Sequence, residues 1–244
     1  MNEVIKQLFA RKSVRAFEEK EISAESKALI LEAACMAPTA GNQQLYTIID
    51  VTDQALKDRL AETCDHQPFI AKAAMVLIFC ADCQKWYDAY LAAGCHARKP
   101  QAGDLLLAVS DANIAAQNAV TAAESLGIGS CYIGDILENC EIHRELLNLP
   151  TYVMPAAMVV FGYPTQQQME REKPKRAAMK HIVHENAYRA MDGAELQRML
   201  EPRAVAKPYI EWMKAFHDRK YDSEFSREMS RSVAAYLEAF KKQD

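Results

Sequence analysis

Between Asp104 and Leu126 the chain carries its strongest periodic signal, and that signal limits what the chain can fold into. On a helical wheel Leu105, Ala108, Val109, Ala112, Ala116, Ala119, Val120, Ala123 and Leu126 share one arc, while Asp104, Asp111, Asn113, Gln117, Thr121 and Glu124 fall outside it. The apolar arc is mostly alanine. Small side chains let a sheet or a second helix come close. The pattern predicts a long helix that serves as a central core element or as a subunit interface, and its polar residues argue against a membrane span.

Around this helix the strand signals are few. "YTIIDVTD" (46–53) is rich in β-branched residues, and "AAMVLIFCAD" (73–82) is an unbroken apolar run that predicts a central strand covered on both faces. "SCYIGDI" (130–136) and "AAMVVFGYP" (156–164) are two further candidates. "NEVIKQLFA" (2–10) reads as a short amphipathic helix, and Ser23 reads as the N-cap of a helix that Pro38 ends. From about residue 187 the pattern is charged and helical, with "AELQRML" and "VAAYLEAF" as amphipathic helices. The expected organisation is one domain over 1–244, with 187–244 as a helical extension wrapped over the domain or over a partner. Strands separated by helices make the class α/β or α+β.

The 244 residues, half of them hydrophobic, suffice for a large core. A net charge of −4 makes nucleic acid a poor principal partner. The N-terminus is too polar for a signal-peptide core and the apolar runs are too short to span a bilayer, so the expected place is the cytoplasm. Seven irregularly spaced cysteines do not read as a disulfide framework. Cys80 and Cys83 form a C-x-x-C without a second pair, and "HIVHEN" (181–186) offers two histidines without further ligands at suitable spacing, so no metal site is expected.

Four stretches could carry chemistry. "RKSVRAF" (11–17) sets Arg11, Lys12 and Arg15 around Ser13; arginine forks and a lysine suit phosphate oxygens, although cations at a helix end are ordinarily solvated. "REKPKR" (171–176) is a second cationic cluster, in a loop after a strand. "APTAGNQQ" (37–44) supplies neutral donors and acceptors from Thr39, Asn42, Gln43 and Gln44, suited to a planar polar ligand or to nothing more than a helix–strand loop. "LGIGSCYIGD" (126–135) brings glycines around a short strand, where Gly134 would let backbone N–H groups approach a flat ligand; it follows a helix, which excludes the dinucleotide fingerprint.

Taken in order, "RKSVRAF", "APTAGNQQLYTIIDVTD", "QNAVTAAESLGIGSCYIGDI", "FGYP", "KPKR", "HENAY" and "FHDRKYDSEF" resemble the nitroreductase-like flavoprotein family, closest to its NADPH-dependent nitroreductase and flavin-reductase branch. The resemblance covers essentially the whole chain. It implies an α+β fold with a central, mostly antiparallel sheet flanked by helices, and a homodimer that exchanges its C-terminal segments and holds FMN at the interface. Arg11, Lys12, Ser13 and Arg15 would hold the FMN phosphate and ribityl chain. Thr39, Asn42, Gln44 and Gln67 would border the flavin. Tyr132, Ile133 and Gly134 would lie along the ring, with a backbone N–H near N5. Lys173, with Lys175 or Arg176, would complete the phosphate site. The chain departs from the branch in "KPKRAA" and in "YIGD", which sets Asp135 near the pyrimidine end.

The implied activity is FMN-dependent NAD(P)H oxidoreduction of nitroaromatics, quinones or flavins, by ping-pong hydride transfer through flavin N5, with NADPH or NADH as donor and no side chain obliged to act as a general acid or base. Arg219, with Lys220 beside it, is the candidate for the NADPH 2′-phosphate, from its place in the C-terminal segment and its guanidinium fork. Two other readings stand beside it: a flavin-binding, redox-sensing protein of the same fold with little turnover, and a cofactor-free domain with solvated cations.

Overall fold

A computed structural model describes residues 1–241. In chain order the elements are α1 (Glu3–Ala10), α2 (Ala24–Cys35), β1 (Tyr46–Val51), α3 (Gln54–Thr63), α4 (Pro68–Ala71), β2 (Met75–Asp82), α5 (Gln84–Ala92), α6 (Ala102–Ser125), β3 (Gly129–Ile133), α7 (Cys140–Leu146), β4 (Val153–Gly162), α8 (Gln166–Glu170), α9 (Gly193–Leu200), α10 (Tyr209–Lys220) and α11 (Glu224–Leu237). They form two compact units, one of residues 1–171 with the chain from Glu228 onward, the other of residues 172–227.

The first unit is built on a four-stranded sheet in the order β1-β2-β4-β3, every neighbouring pair antiparallel. β2 is buried at every residue, as its unbroken apolar run predicts. Its alternate side chains serve two cores. Leu77 and Phe79 pack with the alanines of α6 and with Ile30 and Ala34 of α2. Val76, Ile78 and Cys80 pack on the other face with Leu60 and Ala61 of α3 and with Cys131 and Ile133 of β3. Ala112, Ala115, Ala116, Ala119 and Ala123 are fully buried, so the small residues let α6 lie close on the sheet.

Element ends follow their caps. Ser23 Oγ accepts the Ser26 N–H (3.1 Å), as expected of an N-cap. β1 stops at Val51, short of the expected Asp53, because Asp53 caps α3 by accepting the Leu56 N–H (2.8 Å). The strand expected over 130–136 ends at Ile133, and residues 134–137 turn into a 3₁₀ helix. α11 is tied into the first unit: Glu228 Oε1 accepts the Asn139 N–H (3.1 Å), Ser232 Oγ accepts the Cys140 N–H (2.9 Å), and Tyr236 and Phe240 are buried. Within the second unit, Arg189 makes two hydrogen bonds to Glu195 (both 2.7 Å), and Tyr209, Trp212 and Phe216 line up along α10. Among the described residues no helix is long and apolar enough to cross a membrane.

Candidate functional site

The segment after α1 is pinned to the sheet edge. Ser13 bridges Ser130, and the Val14 N–H donates to Ser130 O (2.9 Å). Phe17 bridges Pro164, and the Glu18 N–H donates to Tyr163 O (2.9 Å). Two glycines make this approach possible. A Cβ at Gly129 would meet Val14 Cγ2 at 2.7 Å, and one at Gly162 would meet Phe17 Cδ1 at 2.7 Å. Lys12 Nζ donates to Met169 O (2.7 Å) and to Arg171 O, while Arg171 Nη2 donates back to Ser13 O (2.5 Å). The ammonium of Lys12 is thus spent on holding the segment to the end of α8.

Arg11 differs. Its Nε and Nη2 are buried and have no hydrogen-bond partner. Ser130 Oγ and Thr165 Oγ1, along the same edge, are buried and unpartnered too. Buried donors normally find acceptors, so an orphaned guanidinium marks a place where an acceptor belongs. The neighbouring side chains converge there. Burial pushes the Cys131 thiol up and outweighs the opposing pulls of Arg15, Ser13 and Arg11, all of which lower it. Burial also raises the Tyr132 phenol to about 12, against the pull of Arg11, and its OH donates to Gln117 Oε1 (3.4 Å). Arg11, Ser13, Arg15 and Tyr132 therefore share one corner beside β3. Arg15 itself is exposed, its N–H held by Gln168 Oε1 (3.2 Å).

Ile133 is buried at the end of β3, and Gly134 follows it, exposed, with nothing within 4 Å of where a Cβ would stand. The end of α3 packs against this turn. Cys64 feels the charges of Asp135 and Glu138, and burial pushes its thiol well up. Gln67 is held there by its own bond to Cys64 O (2.9 Å). Glu138 is 7 % exposed, its Oε1 unpartnered; burial first, then Asp135, Asp65 and Glu228, raise its carboxyl to about 7.

The 37–44 loop is anchored elsewhere on the central helix. Asp111 accepts the N–H of Ala40 (3.0 Å) and of Leu45 (3.2 Å). Thr39 Oγ1 accepts the Gln44 N–H (3.3 Å), and Gln44 Nε2 donates to Asn42 Oδ1 (2.9 Å). Gln117 and Thr121, which line a crevice with Arg11, lie six to ten residues further along α6, roughly 9–15 Å at 1.5 Å per residue. Asp111 falls outside the apolar arc of the wheel, yet it is 2 % exposed. It is buried because it satisfies two backbone donors, and nothing in the helical period signals that.

Lys173, Lys175, Arg176 and Arg219 belong to the second unit. Lys173 is half-buried, and Lys175 and Arg176 are exposed. The guanidiniums of Arg219 and Arg203 lie 5.5 and 5.3 Å from the Phe216 ring centre. His181 Nδ1 lies 3.8 Å from Glu195, and His184 Nδ1 accepts the Arg189 N–H (3.1 Å). Cys80 and Cys83 are buried thiols, both pushed up to about 12, first by burial. The helical period reveals neither Asp111 nor the unpartnered Oε1 of Glu138, and the aromatic residues of α5, Trp86, Tyr87 and Tyr90, also lie outside the motifs.

An alanine-rich helix on an antiparallel four-stranded sheet, with cations and hydroxyls gathered on one edge, defines an α+β protein. The chain belongs to the nitroreductase family, whose model matches residues 8–163. It is 32 % identical over 242 residues to the NAD(P)H FMN reductase of Bacillus subtilis, covering 98 % of this chain and 92 % of that one. It is 34 % identical over 204 residues to the oxygen-insensitive NADPH nitroreductase of Salmonella typhimurium, covering 84 % and 82 %. The NADPH:FMN oxidoreductase of Vibrio harveyi, solved in complex with NAD+, superposes with a TM-score of 0.78 at 25 % identity, over 99 % of this chain and all of that one.

Proposed function

We propose that the chain is an FMN-dependent NAD(P)H oxidoreductase that reduces nitroaromatics, quinones or flavins. One observation carries the reading: half-buried Arg11, whose Nε and Nη2 are buried and unpartnered, beside Ser13, Arg15 and β3. These residues fit FMN. A phosphate takes charge-assisted donors, a ribityl chain takes hydroxyl and amide partners, and a flat ring needs an open backbone edge such as Gly134 offers.

When bound, FMN supplies the two-electron chemistry between a nicotinamide and an acceptor. The chain's own residues bind and orient. Arg11, Ser13 and Arg15 take the phosphate and ribityl chain, and Lys12 fixes the segment that carries them. Thr39, Asn42, Gln44 and Gln67 border the ring, and Tyr132, Ile133 and Gly134 run along it. Lys173, Lys175 and Arg176 as phosphate ligands rest on the family resemblance, and Arg219 on the NADPH 2′-phosphate rests on its place in the C-terminal segment and its guanidinium fork.

The working form is a homodimer. Val4 of α1 is 54 % exposed, and Leu106 and Ile114 of α6 are 68 % and 40 % exposed, an apolar surface that a second copy would cover. The seven unpaired cysteines suit a reducing cytoplasm. Purified protein carrying flavin absorbance, sedimenting as a dimer and consuming NADPH steadily with a nitroaromatic or quinone, is the expected result. A colourless protein that FMN cannot reconstitute overturns the reading, and flavin without turnover would leave a flavin-binding sensor.

A further inference from the structure

We propose that the pocket between α5 and the start of α6 is a binding site for a neutral, planar aromatic molecule of one or two rings. The pocket encloses about 360 Å³. That is at the small end of the roughly 300–1,000 Å³ of small-molecule sites, room for a bicyclic ligand and too little for a dinucleotide. None of the residues assigned to FMN or to NADPH lines it.

Its chemistry selects the ligand. Trp86 and Tyr90, with ring centres 5.6 Å apart and planes tilted by 43°, form an aromatic wall, and Tyr87 and Leu45 add apolar surface. Trp86 Nε1 already donates to Gln43 O (2.7 Å), so its ring, not its N–H, is what the pocket offers. Flat rings stack against such walls in offset or tilted geometry. The charged members cancel. Arg98 grips Asp104 with two hydrogen bonds of 2.6 and 2.9 Å, and Asp104 also accepts the Gln101 N–H (2.8 Å). With that guanidinium occupied, an anionic ligand gains no partner there and loses its hydration.

The floor is rigid. Behind Tyr87, Tyr152 and Phe240 follow in edge-on contact (5.5 and 5.6 Å), so the wall stands without a ligand. Gln43, which accepts the Trp86 bond and lines the pocket, belongs to the loop of Thr39, Asn42 and Gln44, so an occupant sits against one residue of that loop.

The test uses the full chain as purified, carrying Trp212→Phe so that Trp86 is the sole reporter, and titrates it with coumarin, with 2-naphthoate as the anionic counterpart. The expected result is saturable quenching of Trp86 at one coumarin per chain and at least tenfold weaker binding of 2-naphthoate, with flavin absorbance unmoved. Tyr90→Ser, which removes part of the wall at an exposed position, and Cys95→Tyr, which fills the mouth, should each weaken coumarin at least fivefold while the thermal midpoint and flavin content stay put. Absence of saturable quenching, undiminished binding in both variants, equal binding of 2-naphthoate, or a flavin shift that tracks the quenching would overturn the proposal.

Discussion

Two cationic clusters look alike as sequence, "RKSVRAF" and "REKPKR", and the structure treats them differently. The first is pinned by backbone bonds to Ser130 and Tyr163, by Val14 and Phe17 seated over Gly129 and Gly162, and by the Lys12–Arg171 exchange. It leaves one guanidinium with two buried donors unpartnered. Past Arg171, the second cluster runs through an irregular stretch of the other unit, Lys173 half-buried and Lys175 and Arg176 exposed. A cation held in place before its anion arrives loses little entropy on binding; an exposed one must be ordered as it binds. The lesson is that packing around a charge, more than the number of charges, separates a cation set in place from one that its ligand must order.

The largest expected effect comes from removing the seat. Gly162→Ala would drive a Cβ into the Phe17 ring, where Cδ1 and Cγ stand 2.7 and 2.8 Å away and a packed ring cannot swing aside. Overpacking of this kind costs about 1–3 kcal/mol, occasionally more, and here it would also lift the segment that carries Arg11. Thermal unfolding and flavin-to-protein ratio should fall together. A variant that keeps both would show that the glycine is not what seats the segment.

Next comes the direct contrast. Arg11→Ala should cost roughly 1.5–3 kcal/mol of FMN affinity, the worth of hydrogen bonds to a charged group, or about 10–150-fold in Kd, with little change in fold. Arg176→Ala should cost under about tenfold, because an exposed pair is worth at most about 1 kcal/mol. Fluorescence titration of apoprotein with FMN measures both. Equal losses would erase the distinction between the clusters.

The same inequality explains what could be read in advance. Periodicity and unbroken apolar runs reveal α6 and β2 and narrow the class to α/β or α+β, because burial of a face is written in side-chain polarity; the choice of α+β comes from the family resemblance. The cations, the amide loop and the glycine turn are legible as motifs. What is not legible depends on pairing. Asp111 reads as a surface carboxylate until the backbone N–H groups of Ala40 and Leu45 arrive from another element. Glu138 carries no mark of its burial, and Lys12 reads as an anion ligand until the carbonyls of Met169 and Arg171 claim it.

The two units should also part company with pH. Glu138 in the first is raised to about 7 by burial and by Asp135, Asp65 and Glu228. A carboxyl with a raised folded pKa binds more protons folded than unfolded, so the stability it brings is greatest in acid and declines as pH rises from about 4.3 to about 7. Glu195 in the second is lowered to about 2, first by its hydrogen bonds to Arg189, so its contribution is intact over that window and is lost only as pH falls toward 2. Trp86 sits in the first unit and Trp212 in the second, so each is the fluorescent probe within its own unit. Between pH 5 and 7.5 the Trp86 transition should lose on the order of 1–3 kcal/mol and the Trp212 transition should stay level. Glu138→Gln should flatten the first. Parallel slopes in both probes, or a slope that survives Glu138→Gln, would assign the effect to other groups.

The smallest expected effect concerns the second unit's own contribution. Arg219 is exposed, yet its guanidinium is not loose, since it lies 5.5 Å from the Phe216 ring centre with Arg203 5.3 Å from the same ring. Stacking on an aromatic face restrains the fork and leaves its N–H edge available, which suits a phosphate monoester. Because the contact is solvent-screened, Arg219→Ala should raise KM for NADPH by no more than about tenfold, or about 1.4 kcal/mol, with KM for NADH and kcat nearly unchanged. Phe216→Leu, which keeps the charge and removes the ring, should produce a lesser shift in the same direction. An unchanged KM for NADPH in Arg219→Ala would take the 2′-phosphate away from this residue, and an equal rise for NADH would make Arg219 a contact to the shared part of the dinucleotide.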